Sequence, residues 1–366
     1  MAVALGVAAA GAAAVLAPAH AHDAASQAWP AFVLVAGLLV IGALAAEDGL
    51  FAAAGAAAAR LPGSGLRLLT VLLLFEACVT AVLNLDTAVV FLTPVLLHAA
   101  RRRGVDETPF LYGAVFMANS ASLLLPGSNL TNLIVLTHEH VPGHLFAARM
   151  LPAWIAAVAA TIGVLALVFR RSLLRERAPD HEHVPFRFGF GAVGIVAATL
   201  LVLLLRQPAL PVLGTALALA SLSRVGVRKL VDATNPGLLI GVFAAAVALG
   251  TLARNVEALG DVTESLGRIP TTLVGATASL LVNNLLAAVV LSAHAPHHPR
   301  ALLLGLDLGP NLAVTGSLSA VLWYQIARRE RARPSVLRYS LLGVPVTAVA
   351  IAAAMAALAL FAPRGF

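Results

Sequence analysis

Long apolar runs separated by short polar segments alternate along almost the whole chain. Runs that approach or reach the length of a membrane span cover residues 30–46, 149–169, 187–205, 209–223, 236–252 and 338–361. Because roughly 20 apolar residues are needed for a helix to cross the hydrocarbon core, this pattern predicts an all-α polytopic membrane protein. No polar stretch is long enough for a separate soluble domain, so residues 1–366 are predicted to form a single membrane domain.

The N-terminal segment leaves two interpretations open. Residues 1–18 are apolar and run into Ala19-His20-Ala21, which fits the small-residue pattern of a signal-peptide cleavage site. The charged region that precedes the apolar core of a signal peptide is missing, so a retained first helix is the preferred interpretation. Residues 19–29 are predicted to form an outer loop, and residues 50–59 a surface or connecting helix closed by Arg60.

Two pairs of apolar arms are each too short to span a bilayer. The first pair is 68–83 and 87–100, divided by Asn84-Leu85-Asp86, and the second is 270–282 and 285–293, divided by Asn283-Asn284. The first pair has arginines at both outer ends, Arg60 and Arg67 before it and Arg101–Arg103 after it. Short arms with a polar tip and matched flanks predict two re-entrant hairpins.

Two further apolar runs are interrupted in the middle. The run 108–137 contains Pro126-Gly127-Ser128-Asn129, and the run 301–326 contains Gly309-Pro310-Asn311. Proline removes a backbone donor, and unpaired backbone groups at bilayer depth are tolerated only beside protein or a water-filled cavity. These runs are therefore predicted to be discontinuous helices that line a midplane site, as in secondary transporters. The alternative is a kinked helix whose polar groups bond to neighbouring helices.

The basic residues support an inverted arrangement of the two halves. If both pairs of arms are hairpins, 18 of the 24 lysine and arginine residues fall on the side of Arg60, which the positive-inside rule makes the cytoplasmic side. The hairpins then enter from opposite sides, so residues 30–169 and 187–361 are predicted to be inverted repeats, with about nine full spans in all. Residues 255–266 are predicted to form a surface helix.

Composition excludes several classes of protein for this chain. Charged residues make up 11% of the chain and apolar residues 60%, whereas soluble domains carry about 25% charge. The net charge of +7 does not indicate nucleic-acid binding, because the arginines lie in short loops where they set topology. The single cysteine, Cys78, excludes an intrachain disulfide and a multi-thiolate metal site. The histidines are interpreted as solvated loop residues, and neither a metal nor a cofactor is predicted.

Three carboxylates inside apolar runs are candidates for proton coupling: Asp86 at the first hairpin tip, Glu76 in the arm before it, and Asp307 before the second break. An ionisable group at bilayer depth is costly and is by default a functional candidate. Burial opposes the ionised form of Asp86, whereas the positive end of a helix starting at Thr87 favours it, so the group could bind and release a proton. The alternative roles are a helix cap for Asp86, a pairing within the bundle for Glu76, and a partner of Arg254 for Asp307.

Uncharged polar side chains gather at the same four breaks and are predicted to bind the solute. They are Asn84, Thr87, Ser128, Asn129, Thr131, Asn283, Asn284, Asn311, Thr315 and Ser317. The alternative for each one singly is an interhelical hydrogen bond.

Four segments resemble the signatures of the arsenite efflux permease family. They are NLDTAVVFLTP (84–94), NSASLLLPGSNLTNL (119–133), VNNLLAAVVLS (282–292) and GLDLGPNLAVTGSLSAVLW (305–323), and the resemblance covers roughly residues 30–361. It implies a multi-pass plasma-membrane antiporter that exports trivalent arsenite and antimonite in exchange for protons. One N-terminal helix that the family usually has is missing here.

Other functions stay open at this stage. The wider superfamily includes sodium/proton antiporters and permeases for dicarboxylates and citrate, and either activity would suit the same breaks. An intramembrane enzyme is disfavoured because the chain has no HExxH or GxSxG motif, and the absence of GxxxxGK[ST] argues against ATP hydrolysis by a P-loop. The predicted partners are the solute, protons and lipid; a homodimer and a soluble ATPase partner are left open.

Overall fold

Every regular element of the described chain is a helix. The computed structural model describes residues 2–139, 141–174, 188–256 and 265–361. Their helices are α1 Ala2–Leu16, α2 Pro18–Glu47, α3 Leu50–Arg60, α4 Gly65–Leu83, α5 Leu85–Arg102, α6 Thr108–Ala121, α7 Leu130–Val135, α8 Gly143–Val168, α9 Arg170–Leu173, α10 Phe190–Leu204, α11 Ala209–Leu222, α12 Val227–Thr234, α13 Pro236–Arg254, α14 Arg268–Val282, α15 Asn284–Leu291, α16 Pro299–Leu308, α17 Leu318–Arg329 and α18 Val336–Phe361.

The apolar helices confirm the all-α membrane fold. Helices α2, α4, α8 and α18, and α13 together with α12, are long and apolar enough to cross a bilayer. The first arm of the first predicted pair is therefore not too short to span, because as α4 it extends to 19 residues, Gly65–Leu83. Large apolar side chains such as Leu200, Leu204 and Leu217 are more than half exposed, as expected for surfaces that face lipid. The number of about nine spans, the repeat boundaries and the inverted orientation stay predictions.

The predicted outer loop at residues 19–29 is wrong, because these residues belong to the first turns of α2. Pro18 lies in the first turn, where its missing N–H costs nothing, and the alanine-rich sequence that follows favours a helix. Gln27 is buried and donates from Nε2 to the carbonyl oxygens of Ser292 at 2.9 Å and Ile134 at 3.2 Å. The polar residues that suggested a loop are thus partly internal contacts of a helix. Most of the surface helix predicted at 255–266 lies outside the described residues.

The two predicted pairs of arms form helical hairpins with a single asparagine between the helices. Helices α4 and α5 meet at Asn84, and α14 and α15 meet at Asn283. Both asparagines adopt positive φ, 136° and 90°, which asparagine tolerates better than most residues. Each side chain caps the second helix: Asn84 Oδ1 accepts from the Thr87 N–H at 2.7 Å, and Asn283 Oδ1 from the Leu285 N–H at 3.0 Å.

The two interrupted runs form broken helices. Helix α6 ends at Ala121, and α7 begins at Leu130 after a 3₁₀ turn over Pro126–Ser128. In the second half of the chain, α16 ends at Leu308 and α17 begins at Leu318, with two 3₁₀ turns between them. Helices α7 and α17 are called the return helices below. Side chains satisfy some of the carbonyl groups freed here, for example Tyr339, whose hydroxyl donates to Pro310 O at 2.9 Å.

The two halves of the chain exchange contacts through the return helices. Helix α5 of the first hairpin packs on α17, and α15 of the second hairpin packs on α7. Each return helix therefore lies against the hairpin of the other half. An aromatic cluster of Tyr112, Phe116, Trp323 and Tyr339 is fully buried at the α6–α17–α18 junction, where the Trp323 Nε1–H donates to Leu111 O at 2.7 Å.

Candidate functional site

Asp307 lies at the centre of a buried polar cluster that joins the two halves of the chain. It lies near the end of α16, and its side chain has no exposed surface. Its Oδ1 accepts from Thr131 Oγ1 at 2.6 Å and from Asn129 Nδ2 at 2.8 Å. Both donors belong to the return helix α7 or its N-cap, so the carboxyl connects the two halves of the chain.

Asp307 has no cationic partner among the described residues, and its Oδ2 has no hydrogen-bond partner. The alternative role considered for Asp307, as a partner of Arg254, is not found. Arg254 instead donates to Gln27 Oε1 at 2.6 Å and to Gly250 O at 3.0 Å, because the guanidinium lies at the end of α13 beside α2. A buried carboxyl whose only partners are neutral donors is able to change its protonation state without breaking an ion pair.

Asp86 makes a second contact of the same kind. The carboxyl is 7% exposed at the start of α5, and its Oδ1 accepts from Ser319 Oγ at 2.6 Å. Ser319 is the second residue of return helix α17, as Thr131 is the second residue of return helix α7. Each return helix thus donates a hydroxyl to a carboxyl from the other half of the chain. The helix-capping role considered for Asp86 is taken by Asn84 instead.

The remaining predicted residues of the first break divide into two groups. Asn129 and Thr131 contact Asp307, whereas Ser128 closes the break itself by donating to the carbonyls of Ser122 and Leu125. Asn132, one turn into α7, also donates to Ser122 O, at 2.8 Å. Ser128 is therefore engaged locally, and its hydroxyl is less available to a solute than those of its neighbours.

A chain of amides and hydroxyls extends from the second break. Asn311 accepts at Oδ1 from Asn119 Nδ2 at 2.9 Å and donates from Nδ2 to Ser120 Oγ at 3.4 Å. Thr161 of α8 donates to the same Ser120 hydroxyl at 2.8 Å. All four side chains are buried, so this chain joins α6, α8 and the second break without a formal charge.

Several predicted solute-binding residues have only local contacts. Ser317 caps α17 by accepting from the Ala320 N–H at 3.1 Å, and Asn284 Oδ1 accepts from the Leu285 N–H at 2.9 Å. Thr87 is fully buried with its Oγ1 unpartnered, and Thr315 is exposed. The second hairpin tip therefore contributes no described side-chain hydrogen bond to the Asp307 cluster.

Sequence reasoning did not select Ser319, Asn119 or Ser122 as site residues. Ser122 Oγ accepts from Asn129 Nδ2 at 3.3 Å, and the other two contact Asp86 and Asn311. The equal positions of Thr131 and Ser319, each two residues after the N-cap of a return helix, are a signal that could have found Ser319. No group of three or more metal-ligating side chains occurs within the described ranges.

Comparison with known proteins decides the class of protein. The family described as citrate transporter matches residues 1–327. The chain belongs to this family. It is 27% identical over 384 residues to a protein of Yersinia enterocolitica named arsenical pump membrane protein, covering 91% of this chain and 86% of that protein. An Escherichia coli protein of the same name is 25% identical over 382 residues, with the same coverage of both chains.

Two other relatives are less informative about cargo. An uncharacterized transporter of Mycobacterium tuberculosis is 26% identical over 376 residues, covering 91% of this chain and 86% of that protein. The crystal structure of the YdaH transporter of Alcanivorax borkumensis has a TM-score of 0.55 at 14% identity and covers 95% of this chain and 88% of that one, which supports the fold alone. The protein is a multi-pass membrane transporter, consistent with the plasma membrane, and the enzyme alternative is excluded by its relatives.

Proposed function

We propose that this transporter exports trivalent arsenite and antimonite in exchange for protons by alternating access. The observation that carries the proposal is the contact of Asp307 with Asn129 and Thr131, because it joins a buried carboxyl without a cationic partner to neutral donors across the two halves of the chain. Arsenite near neutral pH is an uncharged trihydroxide, which neutral amides and hydroxyls can bind. The relatives named arsenical pump membrane protein support this cargo.

The charge of the buried interior favours a neutral cargo over citrate. Arg103 is the only buried cationic side chain within the described ranges, and it donates to the carbonyls of Ala59, Leu61 and Gly63 at the basic end of the first hairpin. A polyanion beside Asp86 and Asp307 would lack compensating charge, and burying an uncompensated charge is costly. The family description nevertheless makes an organic anion the second candidate, and sodium/proton exchange is the third.

Proton exchange is energetically sufficient for such a pump. Each proton that enters against a neutral solute moves one charge, and a potential of about 100 mV then supplies about 2.3 kcal/mol. This free energy maintains a solute gradient of roughly 40-fold per proton. ATP hydrolysis by the chain itself is therefore not needed.

The test is transport in everted membrane vesicles from an arsenite-sensitive host. We expect an imposed pH gradient to drive arsenite uptake by the wild type and by Asp232→Asn, which changes an exposed carboxyl on α12. Asp86→Asn should insert normally but lose proton-driven uptake. Citrate uptake without arsenite uptake would replace the proposal by the organic-anion function, and sodium-driven exchange by the antiporter function. Normal export by Asp86→Asn would show that this carboxyl does not couple protons.

A further inference from the structure

The first hairpin contains a group of buried polar atoms that have no hydrogen-bond partner. Both carboxyl oxygens of Glu76, the hydroxyls of Thr80 and Thr87, and Nδ2 of Asn84 belong to it. None of these four side chains has any exposed surface. The second hairpin, although it is built on the same plan, has no such unpartnered buried atom in α14 or α15 as described. Unsatisfied buried groups are rare in native interiors and call for an explanation.

Glu76 and Thr80 lie on one face of α4, and Asn84 directly follows the end of that helix. Glu76, Thr80 and Asn84 follow one another at intervals of four residues, so they are about one turn apart and together cover a rise of about 12 Å. Leu73, on the same side of α4, packs against Gly113 of α6, whereas Leu74 and Cys78 on the opposite side are exposed. The Glu76 carboxyl therefore points into the helix bundle and away from lipid.

No described cation compensates Glu76. At the depth of the bilayer interior, the ionisable groups on the helices packed against α4 are Asp86 of α5 and Tyr112 of α6. Asp86 accepts from Ser319, and the Tyr112 hydroxyl bonds to the backbone of Ser335. The other ionisable residues lie within about two turns of a helix end; this holds for the histidines, arginines and carboxylates of α2, α3, α5, α8 and α9. Glu76 therefore does not form the pairing within the bundle that the sequence left open. An isolated carboxylate here would be strongly destabilised, so the neutral acid fits the site.

We propose that Glu76 is a proton-binding site separate from Asp86 and Asp307. Binding forms an O–H bond at a Glu76 carboxylate oxygen with a proton taken from water, and release breaks that bond and returns the proton to water. Relative to Asp86, Glu76 lies on the side of the hairpin tip that leads to Arg60 and Arg67, which the positive-inside rule assigns to the cytoplasm. The inference rests on the proposed function for its role in exchange, but the proton site itself requires no cargo.

The first test is infrared difference spectroscopy of the full-length protein in liposomes without cargo, with a step from about pH 5 to about pH 9. We expect a protonated-carboxyl band that decreases as the pH rises and is missing in Glu76→Gln. Glu47→Gln, which changes a half-exposed carboxyl paired with Lys229, should leave that band in place. A spectrum of Glu76→Gln identical to the wild type in this region would overturn the proposal.

The second test separates proton movement from solute binding. We expect Glu76→Gln to slow proton-driven arsenite uptake on the order of 100-fold, with arsenite binding to purified protein unchanged and partial recovery in Glu76→Asp. Wild-type uptake with an unaltered pH profile in Glu76→Gln would contradict a role of this proton site in exchange. If arsenite is not the cargo, the wild type itself fails to bind it, while the infrared result still decides whether Glu76 binds a proton.

Discussion

The two hairpins share a backbone plan but differ in chemistry. Counting from the tip asparagine, the position eight residues earlier is Glu76 in the first hairpin and Gly275 in the second. The position two residues after the tip is Asp86 in the first and Leu285 in the second. The same turn, with positive φ and a capping amide, thus supports an acidic hairpin in one half and a neutral one in the other.

The broken spans show the opposite distribution. Ten residues before the N-cap of its return helix, the first span has Asn119 and the second has Asp307. Each half therefore has one of these two acids, on the hairpin in the first half and on the broken span in the second. Each acid accepts a hydrogen bond from a hydroxyl on the return helix of the other half. The two halves therefore share a backbone plan but carry different, complementary side chains.

Close backbone packing explains why the second hairpin has no counterpart of Glu76. A Cβ on Gly275 would lie 3.0 Å from Leu302 O, and a Cβ on Gly305 would collide with Thr272 O. The largest expected effect follows from this contact: Gly305→Ala should lower the stability of the protein by about 3 kcal/mol, since neither backbone can retreat. Thermal unfolding in detergent measures the loss.

The control for this prediction is Gly163→Ala on α8, where an added Cβ meets nothing within 4 Å. That variant should unfold at the same temperature or slightly higher, because alanine favours a helix by about 0.5–1 kcal/mol. Equal stability of the two variants would mean that the close packing of Gly305 against the Thr272 backbone does not stabilise the second hairpin.

The tip asparagines test whether the shared turn also binds solute. Asn84→Ala should cost about 2 kcal/mol, because it loses the cap and retains a positive φ. Asn84→Gly should cost only a few tenths of a kcal/mol. Comparing transport and thermal stability of these variants with those of Asn283→Ala and Asn283→Gly separates the two roles. Loss of transport in a stable Asn84→Gly protein would assign solute binding to the Asn84 amide. Full transport would show that Asn84 serves only to form the turn.

The smallest effect is expected at the return helices. Ser319→Ala removes the hydroxyl that donates to Asp86 and should slow proton-driven uptake about 10-fold. This factor corresponds to the free energy of about one hydrogen bond to a charged group. Ser319→Thr should retain most of the rate. Ser317→Ala, which changes only the cap of α17, serves as the neighbouring control. If Ser317→Ala slows uptake as much as Ser319→Ala, the loss reflects helix geometry and not the contact with Asp86.

Local chemistry made the main features of the fold predictable. Pro126-Gly127 and Gly309-Pro310 interrupt apolar runs, and a single asparagine between short arms marks each hairpin tip, so the breaks and tips could be placed from residue types alone. The loop prediction for 19–29 is wrong because the helix propensity of its alanines outweighs the effect of its polar residues.

Contacts between distant residues were less predictable. Ser319 and Asp86 are 233 residues apart, and no local pattern says which hydroxyl after the second break will face the first hairpin. The sequence leaves the pairing of Asp307 with Arg254 open for the same reason, since both side chains have several conceivable partners, and the structure pairs Arg254 with Gln27 instead. The carboxylates themselves were recognisable because ionisable residues within apolar runs are rare.

The hydrogen bonds from α7 to Asp307 have a thermodynamic consequence for the transport cycle. Any rearrangement that separates the two halves at this point changes the environment of the carboxyl, and therefore its affinity for a proton. Linkage is reciprocal: protonation must shift the conformational equilibrium by the same free energy. In the proposed proton exchange, two hydrogen bonds among three side chains would thus suffice to make the direction of movement depend on which side of the membrane is more acidic.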